Sequence, residues 1–151
     1  MFGGMVNRGW AVLIVSMLCG GCGNSAQEVE DHRQQWLATH PEAYVVEICG
    51  TGFAGGCSLD AVSGGQVVAA RSGFRGGVFK DVEPGSDEPI TALFDRATRA
   101  AHSDDCDLES LEFDSKYFYV SNYYCRGDEE GSGETVKCFQ PDTVDLALCP
   151  E

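Results

Sequence analysis

The chain has no apolar run long enough to cross a bilayer. Ala11–Leu18 (AVLIVSML) is free of charge but far shorter than the roughly 20 apolar residues a spanning helix needs, which argues against a plain transmembrane anchor. Basic charge is also scarce: 10 Lys and Arg stand against 24 Asp and Glu, a formal net charge of −14. Such a balance repels phosphate backbones and anionic lipid, which disfavours nucleic-acid binding and lying flat on a membrane. It suits solubility, cation association or a basic partner. No Gly-rich phosphate loop ending in Lys-Ser/Thr occurs, no EF-hand spacing, no solenoid period and, beyond residue 22, no Cys-x-x-Cys of zinc type. The three histidines lie in helix-like or linker-like contexts, so Cys49 has no evident base to activate it as a nucleophile. No residue calls for a cofactor.

What is present begins with a leader. Met1–Trp10 carries one charge, Arg8; the apolar run follows, then the small-residue stretch Cys19-Gly20-Gly21-Cys22-Gly23. A basic start, an apolar centre and a small-residue exit form the secretory pattern. The region resembles the bacterial lipoprotein signal, with Gly20 and Gly21 before Cys22, although Cys19 stands where that pattern prefers Leu. The resemblance implies a signal peptide over residues 1–21 and lipid (palmitate-type chains) on Cys22. It also implies a tether over 22–26, a single domain over 27–151 and a place in the cell envelope, periplasmic or surface-exposed. One acyl chain binds a membrane only marginally, and the two or three of a lipoprotein hold firmly. Gly23 rather than Asp after the lipid site implies the outer membrane in a Gram-negative cell. Ordinary signal-peptidase cleavage, releasing a soluble protein, is the alternative.

Of the eight cysteines, Cys49, Cys57, Cys106, Cys125, Cys138 and Cys149 lie beyond the lipid site. An even number in an exported chain reads as three disulfides. Spacing favours Cys49 with Cys57 across a Gly-rich loop and Cys125 with Cys138 across a hairpin, leaving Cys106 for Cys149. Each bridge would contribute about 2–4 kcal/mol.

Ser25 and Glu28 fit a capping box, and the helical spacing that follows predicts a helix over 26–39 with Trp36 and Leu37 on its buried face. Ala43–Cys49 alternates as a strand, with Tyr44, Val46 and Ile48 on one face. Residues 57–62 and 66–71 follow as strands around Ser63-Gly64-Gly65-Gln66, a two-residue hairpin signal. Residues 72–77 read as loop and 78–82 as a fourth strand. Ser86-Asp87-Glu88-Pro89 opens a second helix carrying Ile90, Leu93, Phe94, Ala97 and Ala101. Strands are predicted over 108–114, 117–125 and 134–140, and a short strand or extended tail over 144–148. The fold class is α+β: two helices packed on an antiparallel β-meander, stapled by disulfides.

Taken in order, Trp36, the strand Tyr44–Cys49, the Gly-Gly hairpin with Val67-Val68, the helix Ile90–Phe94 and the hairpin of Leu111–Asp114 with Tyr117–Tyr124 resemble a bacterial domain-of-unknown-function family of exported proteins and lipoproteins, over most of residues 27–143. That resemblance implies an αβ-meander fold and lends no activity to any residue.

Three groups are candidates for function. Asp104, Asp105 and Asp107, with Glu109, are a weak calcium candidate, since hard cations want several carboxylate oxygens; Asp128-Glu129-Glu130 reads as a solvated turn. Tyr117, Phe118, Tyr119, Tyr123 and Tyr124 form an aromatic band that could meet a protein or glycan where it faces outward and packs in the core where it faces inward. Arg71 and Arg75, among glycines, could hold a carboxylate or phosphate, or pair internally. The expectation is a non-enzymatic envelope lipoprotein that binds an envelope protein or glycan through the Tyr117–Tyr124 face. The alternative is an enzyme inhibitor, secreted or surface-tethered, acting through the Gly50–Gly56 loop.

Overall fold

The computed structural model describes residues 25–52, 55–74, 76–127 and 131–149. The leader, Cys22 and the first part of the tether lie outside them, as do Arg75 and Asp128–Glu130. The expected α+β class is the observed one: two helices and seven strands, all antiparallel. The chain runs α1 (Ser25–Thr39), β1 (Ala43–Thr51), β2 (Gly56–Ser63), β3 (Gln66–Phe74), β4 (Lys80–Val82), α2 (Pro89–His102), β5 (Asp107–Phe113), β6 (Val120–Arg126) and β7 (Ser132–Pro141), then a single 3-10 turn at Leu146–Leu148. No helix among the described residues is long and apolar enough to cross a membrane.

The strands form one sheet in the order β4-β3-β2-β1-β7-β6-β5. Two meanders therefore meet where the last strand pairs with the first, Val46 opposite Phe139 and Val45 opposite Gln140. Gly64 and Gly65 take φ of 58° and 76° in the β2–β3 hairpin, the left-handed pair such a turn requires. Both helices cover one face. There Val29 and Trp36 of α1 and Ile90, Leu93, Phe94 and Ala97 of α2 pack on Tyr44, Val46, Ile48, Val120 and Tyr123. The far face holds a second, smaller core of Val45, Cys49, Cys57, Leu59, Ala61, Phe79 and Cys149. β1 is thus buried on both sides, which explains its nearly unbroken apolar run.

Several expectations need correction. α1 already includes Ser25 and Ala26, and Ala26 is buried, so these two residues are helix and not tether. Leu37 is 52% exposed, because the buried stripe runs through Ala26, Val29 and Trp36 and the next residue has turned some 100° away. β3 extends to Phe74, where pairing with Gly56 and Cys57 continues the ladder. Residues 117–119 are not strand: the Asp114 carboxylate accepts from the amides of Lys116 (2.9 Å) and Tyr117 (2.6 Å), a side-chain turn that delays β6 to Val120. The 144–148 segment coils because Asp145 caps it, accepting from the Ala147 amide at 3.0 Å.

The disulfides are Cys49–Cys57, Cys106–Cys125 and Cys138–Cys149. The first is the expected pair; the other two replace Cys125–Cys138 and Cys106–Cys149. Register is the reason. The β6–β7 turn sets Cys125 opposite Ser132, which leaves Cys138 roughly 20 Å further along β7. Leu108 stands opposite Cys125, which brings Cys106 alongside.

Candidate functional site

The aromatic band is mostly core. Tyr119 and Tyr123 are buried, and Tyr117 and Tyr119 pack on Phe139 with ring centroids 5.2 and 4.8 Å apart. Trp36 meets Tyr119 edge-on at 6.1 Å. The Asp114 turn tucks 117–119 against α1, and strand alternation sends Tyr123 to the helical face. There its hydroxyl donates to Glu134 (2.9 Å), whose carboxylate also pairs with Arg96 Nε at 2.5 Å. Burial, and then the Glu134 charge, push the Tyr123 phenol well above its ordinary range; burial with Asp114 and Tyr117 does the same at Tyr119. Tyr124 points the other way and lies against Gly131, where a Cβ would strike its ring, while at Gly133 a Cβ would strike the β6 backbone. Of the four tyrosines expected on an outward contact face, Tyr119 and Tyr123 are therefore buried, and Tyr117 and Tyr124 are half-buried.

Asp104 and Asp105 are exposed in the turn before β5, with Asp107 exposed at the start of that strand. Among the described residues, the side chains that converge as three potential metal ligands are Glu47, Cys49 and Cys57 instead. The two sulfurs there are joined in a disulfide, so no thiolate is offered to a metal. Glu109 pairs with Arg126.

Arg71 leads to a more open region. On β3 it stands opposite Asp81 of β4, and its Nε bonds the Asp81 carboxylate at 2.9 Å. Beside this pair lies a cleft of about 560 Å³ walled by Gly73, Phe74, Val78, Lys80 and Val82. It forms because the chain after β3 doubles back across Gly73, sends Phe79 into the far-face core, and leaves β4 only three residues long, all exposed. Phe74 is 71% and Val78 78% exposed. Large apolar side chains this open, clustered with Val82 on a cleft, mark an interaction site more often than an isolated exposed leucine does. The sequence reading missed these residues. The available signal was an aromatic residue standing between Gly73 and Gly76-Gly77, with no periodic partner to bury it.

Two smaller hollows lie on the helical side. One, of about 360 Å³ at the end of α2, has Arg96, Arg99 and Tyr123 in its wall; Arg96 is already neutralised by Glu134. The other, of about 230 Å³, lies where α1 ends and α2 begins.

No protein-family model, curated protein or solved structure matches the chain.

Proposed function

We propose that this chain is an exported envelope lipoprotein, held at a membrane through Cys22, that acts as a non-catalytic module docking a protein partner on the β3–β4 cleft. The observation that carries the docking reading is the exposure of Phe74 and Val78 beside Val82, where the other Phe, Tyr and Trp side chains among the described residues are buried or half-buried. Burying one such side chain at an interface contributes about 1.5–3 kcal/mol. The partner this edge suits offers an apolar anchor with basic groups around it, since the chain is strongly acidic.

Export is supported by the cysteines. Each of the six in the described domain is joined to another, which fits an oxidising compartment and leaves no thiol for nucleophilic chemistry. Two of the histidines are engaged locally, His32 stacked on Phe113 at 3.7 Å and His40 beside Trp36.

A photo-crosslinking residue placed at Phe74 in the full chain, in its own cells, tests the docking reading. A discrete adduct from position 74, absent from position 68, which is also exposed and lines none of the described hollows, is the expected result. A scaffold or cell-wall protein in that adduct fits the module, and a hydrolase fits the inhibitor reading instead. No adduct at position 74 ends the proposal for this cleft. Cys22→Ala should move the protein out of the detergent phase, and continued partitioning there would refute the lipid.

A further inference from the structure

The three disulfides are not equally enclosed. Cys49 and Cys57 are 2% and 4% exposed, and Cys149, joined to Cys138, is 2% exposed. Cys106 and Cys125 are both half-buried, and both stand in the wall of the hollow of about 360 Å³ at the end of α2. The rim of that hollow, Ser103, Asp105 and Ser132, is exposed and polar. A disulfide opens when a thiolate reaches one sulfur and displaces the other, so access decides which bridge can exchange.

The same wall carries charge that suits this chemistry. It holds two guanidiniums, Arg96 and Arg99, and among the described residues one carboxylate, Asp105. Arg96 is already paired with Glu134. Arg99 is exposed and makes no hydrogen bond or ion pair among the described residues, in a chain with 24 acids. Its place in the last turn of α2 suits the helix dipole but uses none of its five donors. A cation beside a sulfur favours the thiolate, whether that sulfur attacks or leaves.

Opening this bridge also leaves the sheet paired. The backbones of β5 and β6 hold one another from Asp107 opposite Arg126 to Phe113 opposite Val120, and Cys106 lies just before that ladder. Reduction therefore frees the turn between α2 and β5 and leaves the strands in register, as reversible exchange requires.

We infer that Cys106–Cys125 is a thiol–disulfide exchange site whose substrate is a protein dithiol. One partner thiolate attacks a sulfur of the bridge. The S–S bond breaks, the displaced sulfur takes the bonding pair as a thiolate in the hollow that holds Arg99, and a mixed disulfide forms. The second partner thiol, its proton given to solvent, attacks the partner's own sulfur in that mixed disulfide and releases the other cysteine. Two electrons pass to Cys106 and Cys125, which take up two protons, and the partner leaves as a disulfide. The bridge is the electrophile, so no resting thiol is needed. The same steps in reverse, with a protein disulfide, restore it.

The test treats the full chain with reduced thioredoxin as the dithiol probe, quenches with iodoacetamide and maps the alkylated cysteines by mass spectrometry. Cys106 and Cys125 should be labelled at least about tenfold faster than Cys49, Cys57, Cys138 and Cys149, and thioredoxin lacking its second active-site cysteine should be trapped on one of them. The far-UV circular dichroism of the two-thiol form should match that of the bridged form. At equilibrium with equal amounts of reduced and oxidised thioredoxin, more than about a tenth of the bridge should be reduced, where a purely structural bridge stays below that. Arg99→Gln should slow the exchange about threefold or more. Lys80→Gln, the same charge change at the opposite edge of the sheet, should leave it unchanged. Earlier reduction of another bridge, loss of the sheet signal on opening, a bridge that stays oxidised at equilibrium, or equal rates for Arg99→Gln and Lys80→Gln would each overturn the assignment.

Discussion

The two meanders of the sheet share a helical face and finish their far faces differently. Behind β1–β3 the far face is apolar, and the chain covers it with Phe79 from the segment before β4 and with Leu146 and Cys149 from the C-terminal turn. Behind β5–β7 it is polar: Thr135 donates to Asn122 at 2.8 Å, and Asn122 donates to Ser110 at 3.0 Å, one residue from each strand. Antiparallel sheets tolerate a wet face when its side chains satisfy one another or water. The first meander instead carries Val45, Leu59 and Ala61 outward, and so depends on a lid. One sheet thus holds two solutions, and the Cys138–Cys149 bridge belongs to the first, since it pins the lid to β7 beside β1.

The comparison breaks most directly at matched far-face positions. Leu59 is 1% exposed, and Leu59→Ala should cost about 2–5 kcal/mol, the transfer term plus the cavity left under the lid. Asn122→Ala should cost about 1 kcal/mol, the net worth of its exchanged hydrogen bonds. Urea unfolding of both variants measures the difference, and equal losses would mean that the far faces are not stabilised differently.

Opening the lid itself is a middling effect. The double replacement Cys138→Ser with Cys149→Ser frees an 11-residue span, worth about 3 kcal/mol by loop entropy. Removing Cys106–Cys125, which spans 19 residues, should cost about the same in stability. The two differ in consequence: losing the lid bridge should expose the second core to a hydrophobic dye and speed amide exchange in β1 and β2, and losing the edge bridge should do neither. Dye binding by both variants would dissolve the distinction.

How much of this was legible depends on which physical rule decides each feature. Local rules reached the helices, the Gly64-Gly65 hairpin and the inward face of Tyr44, Val46 and Ile48, because periodicity and turn chemistry act over a few residues. Disulfide pairing failed at Cys125 because partners follow strand register, and register depended on a turn of only a few residues before Ser132. The aromatic band was misread because one side chain, Asp114, ends the pattern of alternation at Tyr117. At the cleft the only local signal is Phe74 standing among glycines with no periodic partner; the open wall beside it follows from how short β4 is, a tertiary result.

The smallest expected effect concerns an acid on the helical face of the first meander. Asp60 stands opposite Val46 on β1 and Ala70 on β3, and is therefore on the face where apolar side chains gather. Burial raises its pKa, and a hydrogen bond with Ser58 opposes the rise without cancelling it. The folded state then holds this proton more tightly than the unfolded chain does. Its contribution to stability is fully present below the ordinary carboxylate value of 3.8 and is lost as pH rises through the raised folded pKa. At neutral pH the ionised carboxylate is a small penalty. Asp60→Asn should raise the melting temperature slightly at pH 7, and the gain should vanish near pH 3.5. Melting curves at the two pH values measure it. A variant less stable than the parent at pH 7 would show that the charge of Asp60 is held by the fold, and that the helical face of the first meander is less apolar than its neighbours imply.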